Sequence, residues 1–326
     1  MGGSAVQPAA LEHIVQLACR APSVHNSQPW RLTAENGIVR LFDEPHRVPH
    51  ATDHSGREAL ISCGALLDHL RVAAAAAGWR AEIARFPNPN NLDHLATIEF
   101  HRMEFVTDAD RGRADAILNR RTDRLPFLAP TDWPAFEKVL RSAVDPEQAT
   151  LTVLDEAARP KLADASRLTE VLRGHDSSYH AELSWWTGLF EIVDGIPHSA
   201  LVAPADRPRV EVAREFPAGS LSDDRPGADR SVIVALSTYD DSHLCALECG
   251  EALSAVLLEA TMVGLATCTL THLTELDASR DILRSLIGGA AEPQLLIRIG
   301  RVPALGENRP MTPRRPLADV LHVSAR

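Results

Sequence analysis

Apolar residues recur at regular spacings along the first hundred residues and predict an alternation of helices and strands. Leu11, Ile14, Val15 and Ala18 share one face of a helix, and Pro22 predicts its end, because the residue before a proline disfavours helical backbone. Short apolar runs bounded by turn residues predict strands. The elements predicted in this part are a helix at residues 11–20, strands at 30–33 and 38–42, a long buried helix at 57–77, and strands at 80–86 and 95–100.

The second half of the chain repeats this order of elements. The pattern there predicts a buried strand at residues 231–238, a long apolar helix at 244–263, a strand at 266–270, a helix at 282–286 and a strand at 294–299. The two long helices superpose with a shift of 186 residues, which brings Cys63-Gly64 onto Cys249-Gly250. This match indicates an internal duplication. The alternative is a chance recurrence of small residues in two alanine-rich buried helices.

Residues 195–229 differ in composition from the rest of the chain. This segment holds five prolines and no sustained periodicity of apolar residues. A connection of this length inside a compact protein is usually a lid, a binding loop or a disordered segment. We therefore expect one of these three between the two predicted units.

Composition narrows the classes of function. The chain has 326 residues, of which 45% are hydrophobic and 24% charged, enough for a sizeable core. With 33 basic and 44 acidic residues its net charge is −11, which argues against general binding to nucleic acid or to an anionic membrane. No apolar run approaches the ~18 residues of a membrane span, and no secretory signal is visible. Five scattered cysteines without a C-x-x-C pair predict a reduced, cytoplasmic protein.

The strongest local signal is the sequence A-P-S-V-H-N-S-Q-P-W-R at residues 21–31. Polar side chains and backbone N–H groups crowd there into a turn. Asn26 and Gln28 each offer a donor and an acceptor on one planar group, which complements a heterocycle with alternating carbonyl and N–H edges. Ser23 and the N–H groups of the turn predict binding of a phosphate or a carbonyl. The alternative is an ordinary capped turn with Trp30 in the core.

Arginines cluster at two further places in this acidic chain. Arg120, Arg121 and Arg124 lie within little more than one helical turn, beside the hydroxyl of Thr122. Planar guanidinium groups suit a phosphate monoester better than lysines do, so this run predicts an anion site. A solvated basic face is the alternative. A second basic segment, T-P-R-R-P-L, follows at residues 312–317, where a basic surface tail is the alternative.

These motifs resemble those of the nitroreductase superfamily. The pattern A-P-S-x-x-N-x-Q-P-W resembles the second FMN-contacting motif of that family, which an R-R-S-x-R segment usually precedes. Here the arginine motif stands instead in the second half, as N-R-R-T-D-R-L-P-F at residues 119–127. Each half thus holds the motif that the other lacks. The whole set is most similar to the Acg-type, dormancy-associated nitroreductase-like proteins of actinobacteria, and it implies a family dimer fused into one chain with one FMN site.

The resemblance implies an α+β, nitroreductase-like fold, a single-chain pseudo-dimer of two similar halves with sheet flanked by helices. The halves are expected at residues 1–108 and 109–326, with residues 195–229 as a lid in the second. The residues that the resemblance assigns to FMN binding are Pro22, Ser23, His25, Asn26, Gln28, Trp30, Arg31, Arg120, Arg121, Thr122, Arg124, Arg314 and Arg315. By the same match, either Arg314 or Arg315 reaches the FMN phosphate.

The activity implied by the resemblance is hydride transfer from NAD(P)H through FMN to a nitro or quinone acceptor. The cofactor then does the chemistry, so no catalytic side chain is named. The alternative is a non-catalytic protein that stores or sequesters FMN under the lid. We expect no nucleic acid and no membrane as partner, and we expect a monomer that mimics the family dimer.

Other patterns favour structural roles. His46, His50 and His54 have the spacing of metal ligands on a helix, but Pro45 and Pro49 disfavour a regular helix there, so no metal site is predicted.

Two further stretches lie near the predicted site. The resemblance places backbone N–H groups of the stretch L-T-H-L at residues 270–273 against the flavin N5 edge, while His272 itself is expected to be a plain loop residue. Trp185 and Trp186, with Leu189 and Phe190, form an apolar patch for which we expect core packing; contact with a lid or flavin ring is the alternative.

Overall fold

The elements predicted from the apolar pattern are confirmed, and their observed bounds differ by at most three residues except at one helix, which begins five residues earlier. The computed structural model describes residues 6–188, 194–223, 225, 227–302 and 311–324. The helices are α1 (Pro8–Ala18), α2 (Arg57–Ala76), α3 (Asp108–Asn119), α4 (Trp133–Ala143), α5 (Arg159–Arg173), α6 (Ser177–Trp186), α7 (His243–Met262), α8 (Asp277–Ile287) and α9 (Leu317–Val320). The strands are β1 (Trp30–Glu35), β2 (Ile38–Asp43), β3 (Trp79–Arg85), β4 (His94–Arg102), β5 (Thr150–Leu154), β6 (Val232–Thr238), β7 (Ala266–Leu270), β8 (Glu292–Gly300) and β9 (Leu321–Val323).

Two antiparallel sheets with the same strand order form the two halves of the fold. The first has the order β3-β4-β2-β1 and the second the order β7-β8-β6-β5. In each, the long helix connects the second strand of the half to the third, so α2 corresponds to α7. The short β9 then adds to the first sheet, parallel to β1. This repeated topology confirms the predicted α+β pseudo-dimer.

The contact between α2 and α7 is the centre of the repeat. A Cβ atom on Gly64 would lie 1.9 Å from the carbonyl oxygen of Leu247, and one on Gly250 would lie 2.0 Å from that of Ile61. The two contacts exchange under the shift of 186 residues, because position 61 maps to 247 and position 64 to 250. Glycine, which lacks a Cβ, permits this approach of two helix backbones. The predicted duplication thus corresponds to a helix crossing with approximate two-fold symmetry.

α2 has the length and composition of a membrane-spanning helix, which corrects the prediction that no apolar run is long enough. Its most apolar window of 18 residues has a mean hydropathy of 1.4, and 83% of that window is buried inside the protein. Asp68, near its middle, pairs with Arg71 and accepts a hydrogen bond from Ser254 of α7. α2 packs against α1, α3 and α7, as expected of a core helix.

The apolar pattern failed to predict the elements between residues 108 and 186. α3 begins with a capping box between Thr107 and Asp110 but buries only small residues and one isoleucine. In α4 the buried residues are Phe136 and Leu140. Because so few positions of each helix face the core, the 3.6-residue period is weak in the sequence. Tertiary packing rather than local pattern therefore stabilises this region.

Candidate functional site

A cavity of about 630 Å³ lies between the two halves. Its walls come from the turn after α1, the start of α2, the residues that follow α3, the segment 196–216, the end of β7 and the stretch before α9. The residues assigned by resemblance that line it are Pro22, Ser23, His25, Asn26, Arg120, Arg121, Thr122, Arg124 and Arg314. The fold thus brings the separate motifs of the two halves to one place.

The turn after α1 has a strained backbone. His25, Asn26 and Gln28 have φ angles of 48°, 58° and 52°, in the left-handed region that residues other than glycine rarely adopt. Ser23 stabilises the turn, because its Oγ accepts a hydrogen bond of 3.1 Å from the Gln28 N–H. Strain of this kind persists only where surrounding contacts enforce it, and it clusters at ligand sites.

The amide groups of Asn26 and Gln28 connect the turn to other segments. Asn26 Nδ2 donates hydrogen bonds to the carbonyl oxygens of Gly195, at 2.9 Å, and Pro313, at 3.2 Å. Gln28 Oε1 accepts one of 2.9 Å from the Arg315 N–H. The protein therefore already uses amide atoms that were expected to meet a ligand.

Four assigned residues lie outside the cavity wall, namely Gln28, Trp30, Arg31 and Arg315. Trp30 is fully buried in the core, as the capped-turn alternative predicts. Arg31 lies over the ring of Phe42, 4.7 Å from its centroid. Arg315 pairs with Glu44 and donates to the carbonyl oxygens of Gln28 and Trp30. Of the two candidates for the phosphate, Arg314 lines the cavity and Arg315 holds the turn in place.

Among the arginines of the cavity wall, four act on one another electrostatically and are called the arginine cluster below: Arg20, Arg120, Arg121 and Arg314. Arg314 donates to three carbonyl oxygens at the end of α1, at 3.0–3.2 Å. Within the described ranges, no carboxylate forms an ion pair with the cluster. The Nε atoms of Arg20 and Arg120 are buried, and neither has a hydrogen-bond partner in the part of the chain that the structure describes.

Burial and mutual repulsion perturb the arginine cluster. Burial first, and then the charges of Arg121 and Arg20, lower the pKa of Arg120 to about 10. Burial first, and then the charges of Arg20 and Arg120, hold the pKa of Arg314 well below its ordinary value. Buried like charges destabilise a protein unless an anion neutralises them. The cluster therefore has the electrostatics of an anion site.

Arg124 and Thr122 contact other parts of the cavity wall. Arg124 donates a hydrogen bond of 3.1 Å to the carbonyl oxygen of Ala200, and its guanidinium lies 5.0 Å from the centroid of the Phe216 ring. Thr122 forms an isolated β-bridge with Thr267 of β7. The motif expected to act as one unit is thus divided between the arginine cluster and the segment 196–216.

Four residues of the cavity wall were not among the predicted site residues, namely Arg20, Glu58, Arg214 and Phe216, and His272 was expected to be a plain loop residue. His272, predicted to be a plain loop residue, is fully buried, and its Nε2 lies 2.6 Å from Ser166 Oγ. Arg214 pairs with Glu275 and donates a hydrogen bond of 2.9 Å to the Tyr179 hydroxyl. No local motif marks these positions, because each becomes significant only through its neighbours in space.

The neutral state of His25 also follows from its surroundings. Its ring lies against Phe216, with centroids 6.0 Å apart, and neither ring nitrogen has a partner among the described residues. Burial first, and then the charges of Arg214 and Arg124, hold the pKa of His25 well below its ordinary value. At neutral pH this side chain therefore offers one donor and one acceptor to the cavity.

The first part of segment 195–229, from Ile196 to Phe216, contributes residues to the cavity wall. The regular structure in the described part of the segment consists of short 3-10 turns at His198–Ala200 and Arg207–Arg209 and a β-bridge between Val202 and Leu221. Positions 224 and 226 lie outside the described residues.

Two further sequence interpretations concern the tryptophan pair and a metal site. Trp185 is 67% exposed, so the expected core packing is wrong for it, and Leu189 and Phe190 lie outside the described residues. Among the side chains that the structure describes, no group of three histidine, cysteine or acidic residues is placed to hold a metal ion.

Comparisons with known proteins add to this geometry. The Mycobacterium tuberculosis protein named "Putative NAD(P)H nitroreductase acg" is 58% identical over 318 residues, which cover 97% of this chain and 96% of that protein. A second M. tuberculosis protein, described as uncharacterized, is 54% identical over 319 residues, 96% of this chain and 93% of its own. A crystal structure of a "putative nitroreductase" from Anabaena variabilis covers 90% of this chain and 88% of its own with a TM-score of 0.52 at 8% identity, a likeness of fold alone. No protein-family profile matches.

Proposed function

The chain belongs to the family of Acg-type nitroreductase-like proteins, and we propose that it is an FMN-dependent oxidoreductase that passes a hydride from NAD(P)H to a nitro or quinone acceptor. The arginine cluster is the observation that carries the proposal. A phosphate monoester has close to two negative charges at neutral pH, and planar guanidinium donors bind it well. A buried cluster without a carboxylate partner in the described ranges supports such a ligand.

The residues present fit FMN at more than its phosphate. The unpartnered Nε atoms of Arg20 and Arg120 would donate to phosphate oxygens. The polar turn with Ser23 and His25 would hold the sugar-alcohol chain and the ring, and about 630 Å³ is a usual volume for a small-molecule site. Bound flavin supplies the hydride chemistry. The protein supplies binding, orientation and exclusion of water.

We propose that residues 195–229 form a lid over this site. The support is that Arg214 and Phe216 line the cavity and that Phe216 lies between His25 and Arg124. A closed lid would exclude water from the reduced ring, and its opening would control entry of nicotinamide and acceptor.

We further propose halves at residues 1–108 and 109–326, a monomeric cytoplasmic protein, and one FMN for each chain. The repeated strand order supports the division. The arginine motif at residues 119–127 occurs in the second half alone, which supports a single site. Acceptance of small aromatic nitro or quinone compounds is part of the same proposal.

Two measurements test the proposal. Titration of apoprotein into FMN should quench flavin fluorescence with a stoichiometry of one; absence of binding would refute the cofactor. Anaerobic NADPH or NADH should then bleach the visible absorbance of the loaded protein, as dithionite does in the control. Bleaching by dithionite alone would contradict the proposed NAD(P)H-dependent activity and favour the storage of FMN. The names of the relatives lend no support to a storage function.

A further inference from the structure

Glu58 is a buried acid of the cavity wall that the proposed function does not yet use. It is the second residue of α2, is 2% exposed and lines the cavity. Neither Oε1 nor Oε2 has a hydrogen-bond partner among the described residues. A buried carboxyl with both oxygens unsatisfied costs stability, so its presence calls for an explanation.

The charges around Glu58 favour its neutral form. Burial first, and then the carboxylates of Glu275 and Asp53, raise the pKa of Glu58 well above its ordinary value, against the opposing charges of Arg214 and Arg57. Glu275 faces Glu58 from the turn after β7 and Asp53 from the loop before α2. Arg214 faces it from the segment 196–216, and Arg57 is its neighbour in α2 itself. Burial and the neighbouring carboxylates therefore favour the protonated carboxylic acid over the carboxylate.

None of these neighbours is free to pair with Glu58. Arg214 forms an ion pair with Glu275. Arg57 donates four hydrogen bonds of 2.8–3.0 Å to oxygen atoms of β8 and of the turn before α8. Asp53 accepts a hydrogen bond of 2.8 Å from a backbone N–H of α2. The protein thus leaves the Glu58 carboxyl to a ligand.

Two neutral histidines share the property of Glu58. Both ring nitrogens of His25 and the Nδ1 of His272 are buried without a partner among the described residues. Burial first, and then the charge of Arg214, hold the pKa values of His25 and His272 well below their ordinary value. This group of neutral planar side chains contrasts with the cationic arginine cluster in the same cavity. It suits a ligand part that is uncharged, planar and rich in hydrogen-bonding atoms.

We propose that the buried carboxyl group of Glu58, which lines the cavity, is a binding group that recognises a planar edge carrying a carbonyl and an N–H group. In its protonated form the O–H donates and the carbonyl oxygen accepts, which matches such an edge atom for atom. The flavin ring and the nicotinamide carboxamide both carry this edge. The inference rests on the proposed function and extends it, because it names a ring-binding residue that is independent of the phosphate site.

The first arm of the test measures FMN binding to apoprotein by fluorescence quenching. Glu58→Leu should weaken FMN binding about tenfold, the scale of one well-formed hydrogen bond, whereas Glu58→Gln, which keeps a donor and an acceptor, should stay close to wild type at pH 7. The wild-type affinity should fall as pH rises through the raised pKa of Glu58, because the carboxylate has no proton to donate. This loss of affinity should be absent in Glu58→Gln. Ionisation of FMN itself affects both proteins equally, so the difference between them reports on Glu58.

The second arm measures binding of NADP⁺ and NAD⁺ to the FMN-loaded protein by calorimetry. A tenfold loss for Glu58→Leu in this arm, with FMN affinity unchanged, would identify nicotinamide as the recognised edge. Glu248→Gln is the matched control, because burial raises the pKa of Glu248 on α7, outside the cavity wall. Glu248→Gln should change neither the affinity for FMN nor the affinities for NADP⁺ and NAD⁺.

The stability of the apoprotein separates ligand binding from a structural role. Since the Glu58 carboxyl has no hydrogen-bond partner among the described residues, Glu58→Leu should leave the melting temperature unchanged or raise it, while replacement of a structural residue would lower it. Wild-type affinities for Glu58→Leu in both arms, or equal losses for Glu58→Gln and Glu58→Leu, would overturn the inference while the proposed function stands. Failure of the wild-type protein to bind FMN would refute both.

Discussion

The N-terminal parts of α2 and α7 occupy equivalent places in the repeated fold, but their acidic side chains differ in whether the protein provides a partner. Under the shift of 186 residues, the cavity residues Glu58 and Ser62 correspond to Leu244 and Glu248. At the α7 end, Arg85 of β3 forms a bidentate ion pair with Glu251, with N–O distances of 2.7 and 2.8 Å, and lies 4.0 Å from Glu248. The buried carboxylate of Glu251 thus has its counter-ion within the protein.

The start of α2 instead lines the cavity, whose wall also contains the arginine cluster. Among the described residues, the cluster has no carboxylate partner and the side chain of Glu58 has no hydrogen bond. The same backbone arrangement thus carries a buried acid that is paired within the protein in one place and polar groups that are left unpaired in the other. The comparison teaches that a ligand site is recognised here by polar groups that the protein leaves unsatisfied, rather than by the elements that carry them.

The largest effect is expected from a change that disrupts the packing of α2 against α7 and so disturbs both helices together. Gly64→Ala would place a Cβ 1.9 Å from the carbonyl oxygen of Leu247 and force α2 and α7 apart, so we expect a loss of at least about 3 kcal/mol in the free energy of unfolding. Urea unfolding measures it. Gly112→Ala is the control, since its nearest neighbour is the flexible end of Met262 at 3.4 Å. Equal stability of the two variants would contradict the crossing.

The next largest effect is expected from a change that disrupts only the ion pair between β3 and α7. Arg85→Ala leaves Glu251 buried without its partner, and we expect a loss of about 3 kcal/mol of stability, the lower end for a broken buried pair. FMN affinity should not change. The double variant Arg85→Met with Glu251→Leu should recover most of the stability, because both charges are then removed. A loss of FMN binding in Arg85→Ala would show that the two ends are coupled.

A third change tests the arginine cluster, whose members have no carboxylate partner among the described residues. Arg120→Ala should weaken FMN binding by about 1.5–3 kcal/mol, the scale of one charged hydrogen bond, and should leave the apoprotein as stable as before or more so. Arg121→Ala should cost less, because Arg121 is less buried and its Nη1 already donates to the carbonyl oxygens of Leu118 and Arg120. Fluorescence titration compares the two. Greater loss in Arg121→Ala would reverse the order assigned to them.

The smallest effect concerns the pH dependence of stability near the arginine cluster. Burial first, and then the charges of Arg120 and Arg314, hold the pKa of His69 on α2 well below its ordinary value. Because the unfolded chain binds the proton at a higher pH, stability is lost as pH falls below about 6.5, by about 1.4 kcal/mol for each pH unit. Unfolding curves between pH 7.5 and 5 should show a shallower loss for His69→Leu. The exposed His180→Gln should keep the wild-type slope.

Much of the fold was predictable because it has a local signature. The two long helices and the strands β1 to β4 and β6 to β8 show clear apolar patterns, and the matching cysteine-glycine pairs of the two helices indicated the repeat. The helices α3, α4 and α6 gave no such signal, since few of their positions face the core, and half of the buried residues of α5 are polar. The turn at residues 21–31 was found because proline, serine and amides form a dense motif.

The site itself was predictable only in part. Arg120, Arg121 and Arg314 were found through their motifs, and they line the cavity. Arg20 and Glu58 were not found, because a single arginine or glutamate in a helix has no distinguishing pattern. Gln28 and Arg315 belong to the same motifs as residues of the cavity but point to protein partners instead.

The amino-acid sequence by itself determined the order of elements, the duplication and the two separate motifs, because each depends on residues close together along the chain. Only the tertiary structure decided that Arg20, Arg120 and Arg314 share one wall with the turn at residues 21–28, and that Glu58 faces the same cavity. It also decided their charges, because the pKa of a buried group depends on the desolvation and the neighbours that folding imposes. Chain segments almost three hundred residues apart acquire a common chemistry only when packing excludes water from between them.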